Sequence, residues 1–132
     1  MEHICFEVQL CIKIYYRFLD KKDQREANID IDIDQVSVLP WNPFFLEKSE
    51  QVIATIQQKL VIELGDGTNQ NAYIKAYILP PERTLTKEEK NIAKISNRRQ
   101  GFYIHREGRI IHSGGWLNVF GAPEPHGSLL RV

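Results

Sequence analysis

The sequence is poor in the residues that announce a compartment or a catalytic centre. Its 132 residues include two cysteines, Cys5 and Cys11, whose spacing fits no zinc motif. Two thiols in so short a segment do not suggest a secreted disulfide scaffold, and free cysteine is usually core, so both are expected as buried, reduced thiols. Charge of one sign is not in excess either: 17 lysines and arginines balance 17 aspartates and glutamates. A duplex-binding domain usually carries a basic surplus, because phosphate neutralisation dominates its affinity, so nucleic acid is not the favoured partner. No apolar run approaches the roughly 20 residues that cross a bilayer, which argues against a membrane-spanning helix. Glu2 stands where a secretory leader needs lysine or arginine, and no small-residue cleavage site follows it; the expected setting is cytoplasmic.

Complete chemical motifs are also missing. Asp30, Asp32 and Asp34 superficially resemble a calcium loop, but isoleucines separate them, and Gln35 and Trp41 occupy the positions that need glycine and glutamate. A calcium loop must curl, whereas this segment has the alternation of an extended strand, so an exposed strand face is expected. The stretch LGDGTN lacks the lysine and hydroxyl residue of a phosphate loop and reads as a turn. The four histidines, His3, His105, His112 and His126, are scattered. His105 and His112 are placed to face each other across a hairpin, yet no cysteine or carboxylate pair completes a ligand set. No serine or cysteine sits in a nucleophile motif. The chain alone is therefore expected to be non-catalytic and to bind no metal.

What is present is a pattern of short elements with a hydrophobic content of 42%, enough for a core in one domain spanning 1–132. The first segment, ICFEVQLCIKIYYRFLD, alternates apolar residues like a strand, while Gln9, Lys13, Arg17 and Asp20 make a polar helical stripe; local physics leaves it undecided. IDIDIDQVSV predicts a half-buried strand that turns at Asp34-Gln35 and returns, and Pro40 and Pro43 in PWNPF end regular pairing. KLVIEL and AYIKAYIL predict strands joined by GDGTNQN. TLTKEEKNIAKI predicts a helix whose Thr86 and Glu89 form a capping box and whose Ile92 and Ile95 supply the apolar face. GFYIHREGRIIHS predicts a hairpin turning at Glu107-Gly108, and SLLRV a last strand. Strands, a helix, then strands, without β-α alternation or repeats, indicate α+β with a mixed, mostly antiparallel sheet. The chain ends at Val132 inside a strand-like pattern, which reads as a piece of a longer protein.

Arg98, Arg99, Arg106 and Arg109 form the one cationic concentration of the sequence; guanidinium groups suit phosphate and carboxylate partners, or guard a strand edge. Trp41 and Trp116 each follow a turn-forming residue and are expected to anchor sheet ends, with Gly114 and Gly115 shaping the second site.

Taken in order, QGFYIHREGRIIHSGGWLNVF and PHGSLLRV resemble a segment of bacterial Hsp-ninety-like or MORC-like ATPases of the GHKL superfamily. Those proteins carry Q-G-F-Y-(I/V)-Y-R-N-x-R-L-(I/L), then G-x-W-L-x-x-F, then H-x-x-L-A-R-(V/I). Upstream, IDIDIDQVSVLPWNPF is similar to their strand, turn and P-W-D-P-F element, YILPPERTLTKEE to their I-L-P turn before a helix, and IKIYYRFL to a helical Y-(H/Y)-R-F-L segment. The likeness spans nearly the whole chain. Asn42, His105, Gly127 and Leu130 depart from it, standing for an aspartate, a tyrosine, an aromatic and an alanine.

The resemblance implies the second, transducer domain of such an ATPase, with a fold like domain two of ribosomal small-subunit protein five and helices on one face of its sheet. It implies an adjacent N-terminal ATPase domain as partner, a parent protein able to form a homodimer, and ATP and magnesium bound in that neighbour rather than here. The lysine that reaches the γ-phosphate would lie downstream of Val132, so no lysine of this chain inherits that role. Arg98, Arg106 and Arg109 are then expected at interdomain or phosphate-side contacts. The alternative is a nucleic-acid or protein binding module that uses the arginine-rich hairpin.

Overall fold

A computed structural model describes residues 12–25 and 27–132. Cys5, Cys11 and His3, and with them the expectation of buried thiols, lie outside the described residues. Residues 12–14 are helical, and so is α1 (Tyr16–Leu19), the conformation the resemblance implies for this segment.

β1 (Asp32–Ile33) and β2 (Val36–Ser37) pair antiparallel through a tight turn in which Asp34 and Gln35 have φ of 49° and 66°. Two consecutive positive φ values match the right-handed twist of a hairpin, and short polar residues such as aspartate tolerate them. The strands are shorter than the isoleucine alternation indicates, although Val38 N–H still donates to the Ile31 carbonyl at 2.8 Å. The aspartates lie along an exposed strand face: Asp32 accepts from the Ser37 hydroxyl at 2.6 Å, and Asp30 pairs with Lys21 at 2.5 Å.

After PWNPF comes a 3-10 segment, Leu46–Gln51, then β3 (Ile53–Ala54), β4 (Gln58–Glu63), β5 (Asn69–Ile74) and β6 (Tyr77–Ile78). β5 begins at Asn69, inside what the sequence marks as loop. Asparagine is a poor strand former, but pairing of Asn69 with Glu63 and Gln70 with Ile62 extends the ladder and overrides the propensity. The turn itself is closed by Asp66, whose carboxylate accepts from the Thr68 N–H at 2.9 Å and the Thr68 hydroxyl at 2.6 Å. AYIKAYIL is not one strand. At Ala76 the chain leaves β4 and instead bonds Thr55, whose N–H donates to the Ala76 carbonyl at 2.9 Å.

α2 (Lys87–Ala93) starts with the expected capping box, Thr86 N–H donating to Glu89 Oε2 at 2.8 Å and Glu89 N–H to Thr86 Oγ1 at 3.2 Å. Its buried contact is Ala93, while Ile92 is 39% exposed; Lys94 then turns left-handed and stops the helix at Ala93, short of Ile95, so the Ile92–Ile95 face is only partly used. β7 (Tyr103–Arg106) and β8 (Arg109–Ser113) form the predicted hairpin about Glu107 and Gly108, and β9 (Leu130–Arg131) is the predicted last strand.

The α+β class and the antiparallel pairing are those the sequence indicates. Among the described residues the pairing is divided into four small sheets, β1–β2, β3–β6–β9, β4–β5 and β7–β8, where the sequence suggests one mixed sheet. Breaks at the prolines and at Ala76 keep strands short, and among the described residues parallel contact is limited to isolated bridges from Gly101 to Gly115 and Arg131.

Among the described residues the core has two apolar clusters. One contains Tyr16, Trp41, Phe44, Tyr103 and Ile110; the other contains Phe45, Leu79, Leu85 and Ala93. Phe44 and Phe45 are neighbours in sequence yet serve different clusters, because Phe45 takes a left-handed φ of 54°. Among the described residues no helix is long and apolar enough to cross a membrane.

Candidate functional site

The arginines singled out in the sequence do not come together. Arg106 and Arg109 are cross-strand partners at the tip of the β7–β8 hairpin, both exposed, and Arg109 pairs with Glu107 at 3.4 Å. Arg98 lies at the opposite end, on a 3-10 turn (Asn97–Arg99) whose Arg98 carbonyl sits where a Gly114 side chain would go. Arg99 is drawn inward, 4.8 Å over the Trp41 ring.

The tryptophans are packing centres. Trp41 is 5% exposed, donates through Nε1 to the Ile92 carbonyl at 2.7 Å, and is surrounded by Lys94 and Arg131 as well as Arg99. Trp116 stacks edge-on against Phe102 and Phe120, and its Nε1 donates to Gln100 Oε1 at 3.0 Å. Gln100 in turn donates to the Glu124 carbonyl at 2.6 Å, so a fully buried amide has both ends satisfied. Gly115 bonds on both sides of its peptide: its N–H donates to the Gln100 carbonyl at 2.6 Å and its carbonyl accepts from Phe102 at 2.9 Å. Gly114 N–H donates to the Phe102 carbonyl at 2.8 Å.

Arg131 is the residue that sequence reasoning passed over. It has no exposed surface, yet no carboxylate faces it among the described residues. Its guanidinium donates instead to backbone carbonyls: to Pro43, to Ala93 at 2.7 Å and to Lys94 at 3.3 Å. The last two are unsatisfied carbonyls at the C-terminus of α2, where the helix dipole favours a cation. Burial nevertheless holds its pKa down at about 10.

The concave site is a cleft of about 630 Å³ between the β4–β5 hairpin, β7 and the segment around α1. Its apolar wall includes Phe44, Leu60, Phe102 and Ile104. Arg17, Arg25 and Lys75 bring three cations to the lining, and among the described residues no aspartate or glutamate lines it. Asp23 lies behind Arg25, gripping it at 2.8 and 2.5 Å, and lifts the Arg25 pKa further by that hydrogen bond. Lys75 lies 5.2 Å from the centre of the Tyr77 ring.

At one side of the cleft His105 joins a hydrogen-bonded chain. Its Nδ1 is 3.0 Å from the Tyr103 carbonyl, which can only accept, so Nδ1 carries the proton. Nε2 then accepts from the Tyr16 hydroxyl at 3.0 Å, and Arg17 Nε donates to the same hydroxyl oxygen at 3.3 Å. Burial is the main reason the His105 pKa falls to about 4, with the Arg17 charge adding to it; the imidazole is neutral at physiological pH. Burial raises the Tyr16 pKa.

His105 does not face His112: the tight turn at Glu107-Gly108 pairs Arg106 with Arg109 and so His105 with Ile110, and a bulge beyond it leaves His112 opposite Ile104. Among the described residues no group of three histidine, cysteine, aspartate or glutamate side chains is placed to hold a metal. The site offers cations, aromatic faces and a fixed neutral imidazole, which suits holding an anion with an apolar part. Nothing in the sequence brings Arg17, Arg25, Lys75 and His105 together, because three separate elements supply them. Comparison with family models, with curated proteins and with solved structures finds no match to this chain.

Proposed function

We propose that the chain is a non-catalytic, transducer-like domain of a larger cytoplasmic GHKL-superfamily ATPase of the Hsp-ninety-like or MORC-like kind. It relays the nucleotide state of an adjacent N-terminal ATPase domain, which holds ATP and magnesium, by rigid-body movement within a homodimeric parent protein. The observation that carries the reading is where the resembling motifs meet. PWNPF, the helix after YILPP, the QGFY strand and the LLRV strand are far apart in sequence, and Arg131 with its neighbours Pro43, Ala93, Trp41 and Gly101 draws them into one body. A relay needs such stiffness, because a soft domain would absorb a displacement before passing it on.

Two measurements test this. The coding region upstream is expected to encode an ATPase segment with a magnesium-holding asparagine and a D-x-G-x-G loop; an unrelated or absent upstream segment contradicts the relay. Calorimetric titration of this chain with magnesium-ATP is expected to give no heat, and micromolar binding or turnover by the chain alone contradicts it as well.

A second reading, a binding module, rests on the cleft lined by Arg17, Arg25 and Lys75 rather than on the hairpin arginines. Under it, a labelled single-stranded oligonucleotide binds with an affinity that falls steeply with salt and drops further in Arg17→Gln. Indifference to salt would remove that reading.

A further inference from the structure

The β4–β5 hairpin is long and largely exposed. Every residue of β4 is exposed, and the exposure includes a contiguous apolar run: Leu60 at 45%, Val61 at 63% and Ile62 at 46%. β5 is the sole neighbour of β4 among the described residues, which leave its other edge unpaired. An unpaired strand edge with the exposed apolar centre Leu60, Val61 and Ile62 is a template for strand pairing.

We propose that two copies of the chain associate through this edge, β4 against β4, antiparallel about a two-fold axis at Val61. The product is a four-stranded sheet in which each copy contributes its hairpin. The inference stands independently of the relay reading.

Backbone geometry restricts the register. Leu64 N–H donates to the Thr68 carbonyl at 2.8 Å, which continues the β4–β5 ladder by one pair. In an antiparallel ladder successive residues point their N–H and C=O groups to opposite edges. Even-numbered residues of β4 therefore bond β5, and Lys59, Val61 and Glu63 turn their backbone groups to the other edge. A second β4 can bond only through the same odd-numbered set, so a one-residue slip is forbidden.

Side chains then select among the permitted registers. Neither Lys59 nor Glu63 belongs to an ion pair among the described residues; across the hairpin they face Tyr73 and Asn69. With Val61 opposite Val61 of the second copy, Lys59 falls opposite Glu63 and Glu63 opposite Lys59. Leu60 meets Ile62 twice on the other face. Moving the register by two residues on one strand sets Lys59 or Glu63 against valine and loses the symmetric charge pairs. Opposite charges directly across an antiparallel pair stabilise it, and like charges destabilise it. The strand is thus self-complementary in charge and shape, which an isologous dimer requires.

Lysine on an edge strand also serves to prevent pairing, and the charges tell the two apart. Sedimentation equilibrium of the chain is expected to show a reversible monomer–dimer equilibrium with a Kd of roughly 10–500 μM, the weak range of small interfaces. Lys59→Glu sets glutamate against Glu63 at both ends and is expected to raise Kd at least about tenfold, as is Glu63→Lys. The double variant Lys59→Glu/Glu63→Lys restores the pairs in swapped order and is expected to return Kd to within about threefold of the original. Val61→Pro removes the N–H at the axis, which bonds nothing among the described residues, so circular dichroism stays native while the dimer is lost. A chain that stays monomeric throughout this range overturns the proposal. So does a single charge variant that dimerises as tightly as the parent, or a double variant that does not recover.

Discussion

His105 uses its N–H on the Tyr103 carbonyl and accepts the Tyr16 hydroxyl at Nε2, so a proton added at Nε2 would face a hydroxyl already pointing its own hydrogen there. Arg17, bonded to the same hydroxyl oxygen, and Arg25 add repulsion to that proton. The sign of the pH effect follows. The folded chain takes up the proton only near pH 4, whereas an unfolded histidine takes it up near 6.5. Between these values the unfolded state binds more protons, so stability is highest above the upper value and falls as the pH drops through the window. After a discount for partial solvent exposure, the loss is about 2 kcal/mol. His105→Gln keeps an acceptor for Tyr16 but cannot titrate. Urea denaturation from pH 7 to pH 4 is expected to show a shallower loss for this variant by about that amount. Equal slopes in the two proteins would mean that His105 ionises in the folded state as it does in the unfolded one.

Strand β9, the start of β7 and the segment after β8 meet at Gly101. It lies before β7, bonds β9 through the Leu130 carbonyl at 3.1 Å, and presses its backbone on Gly115 after β8. Its φ is 118°, and a methyl group there would collide with the Gly115 carbonyl. Gly115 has φ 78°, but the position its own Cβ would take is open. Gly101→Ala is therefore expected to cost at least about 3 kcal/mol, and Gly115→Ala about 1 kcal/mol, the ordinary penalty for a left-handed alanine. Guanidinium unfolding of the two variants side by side checks this; equal losses would mean that the close approach of the two backbones contributes nothing. Local signals made some of these elements legible: Thr86 with Glu89 for the start of α2, and Glu107-Gly108 and Asp34-Gln35 for the hairpin turns. Long-range pairing was not legible. Pairing of Glu63 with Asn69 and Ile62 with Gln70 turned loop letters into strand, Thr55 drew Ala76 out of β5, and the register set at Glu107-Gly108 put His105 opposite Ile110 rather than His112. In the cleft, Arg17, Arg25 and Lys75 come from separate elements, so only the fold assembles them.

Two apolar clusters in a chain of this size raise the question of what makes them melt together. Phe44 and Phe45 join them through the backbone, and Arg131 joins them through a side chain, since its guanidinium lies against Trp41 of one cluster and bonds the Ala93 carbonyl of the other. A buried cation whose partners are carbonyl oxygens is worth little against an apolar replacement in the abstract. Here Arg131→Met would leave the Pro43, Ala93 and Lys94 carbonyls without their donor, at about 1–3 kcal/mol for each buried acceptor. Arg131→Lys keeps a charge, but one ammonium cannot reproduce the planar fork that reaches Pro43 and the helix end together. Amide hydrogen exchange along a denaturant series separates the effects. In the parent chain, amides of α2 and of β7–β8 are expected to lose protection at the same denaturant concentration, as one cooperative unit does. In Arg131→Met the two sets are expected to part, α2 opening first because Ala93 is its single buried residue, with Arg131→Lys in between. Should both variants merely lower the common midpoint, the clusters are coupled through Phe44–Phe45 alone, and the stiffness on which a mechanical relay depends resides in the backbone rather than in the buried guanidinium.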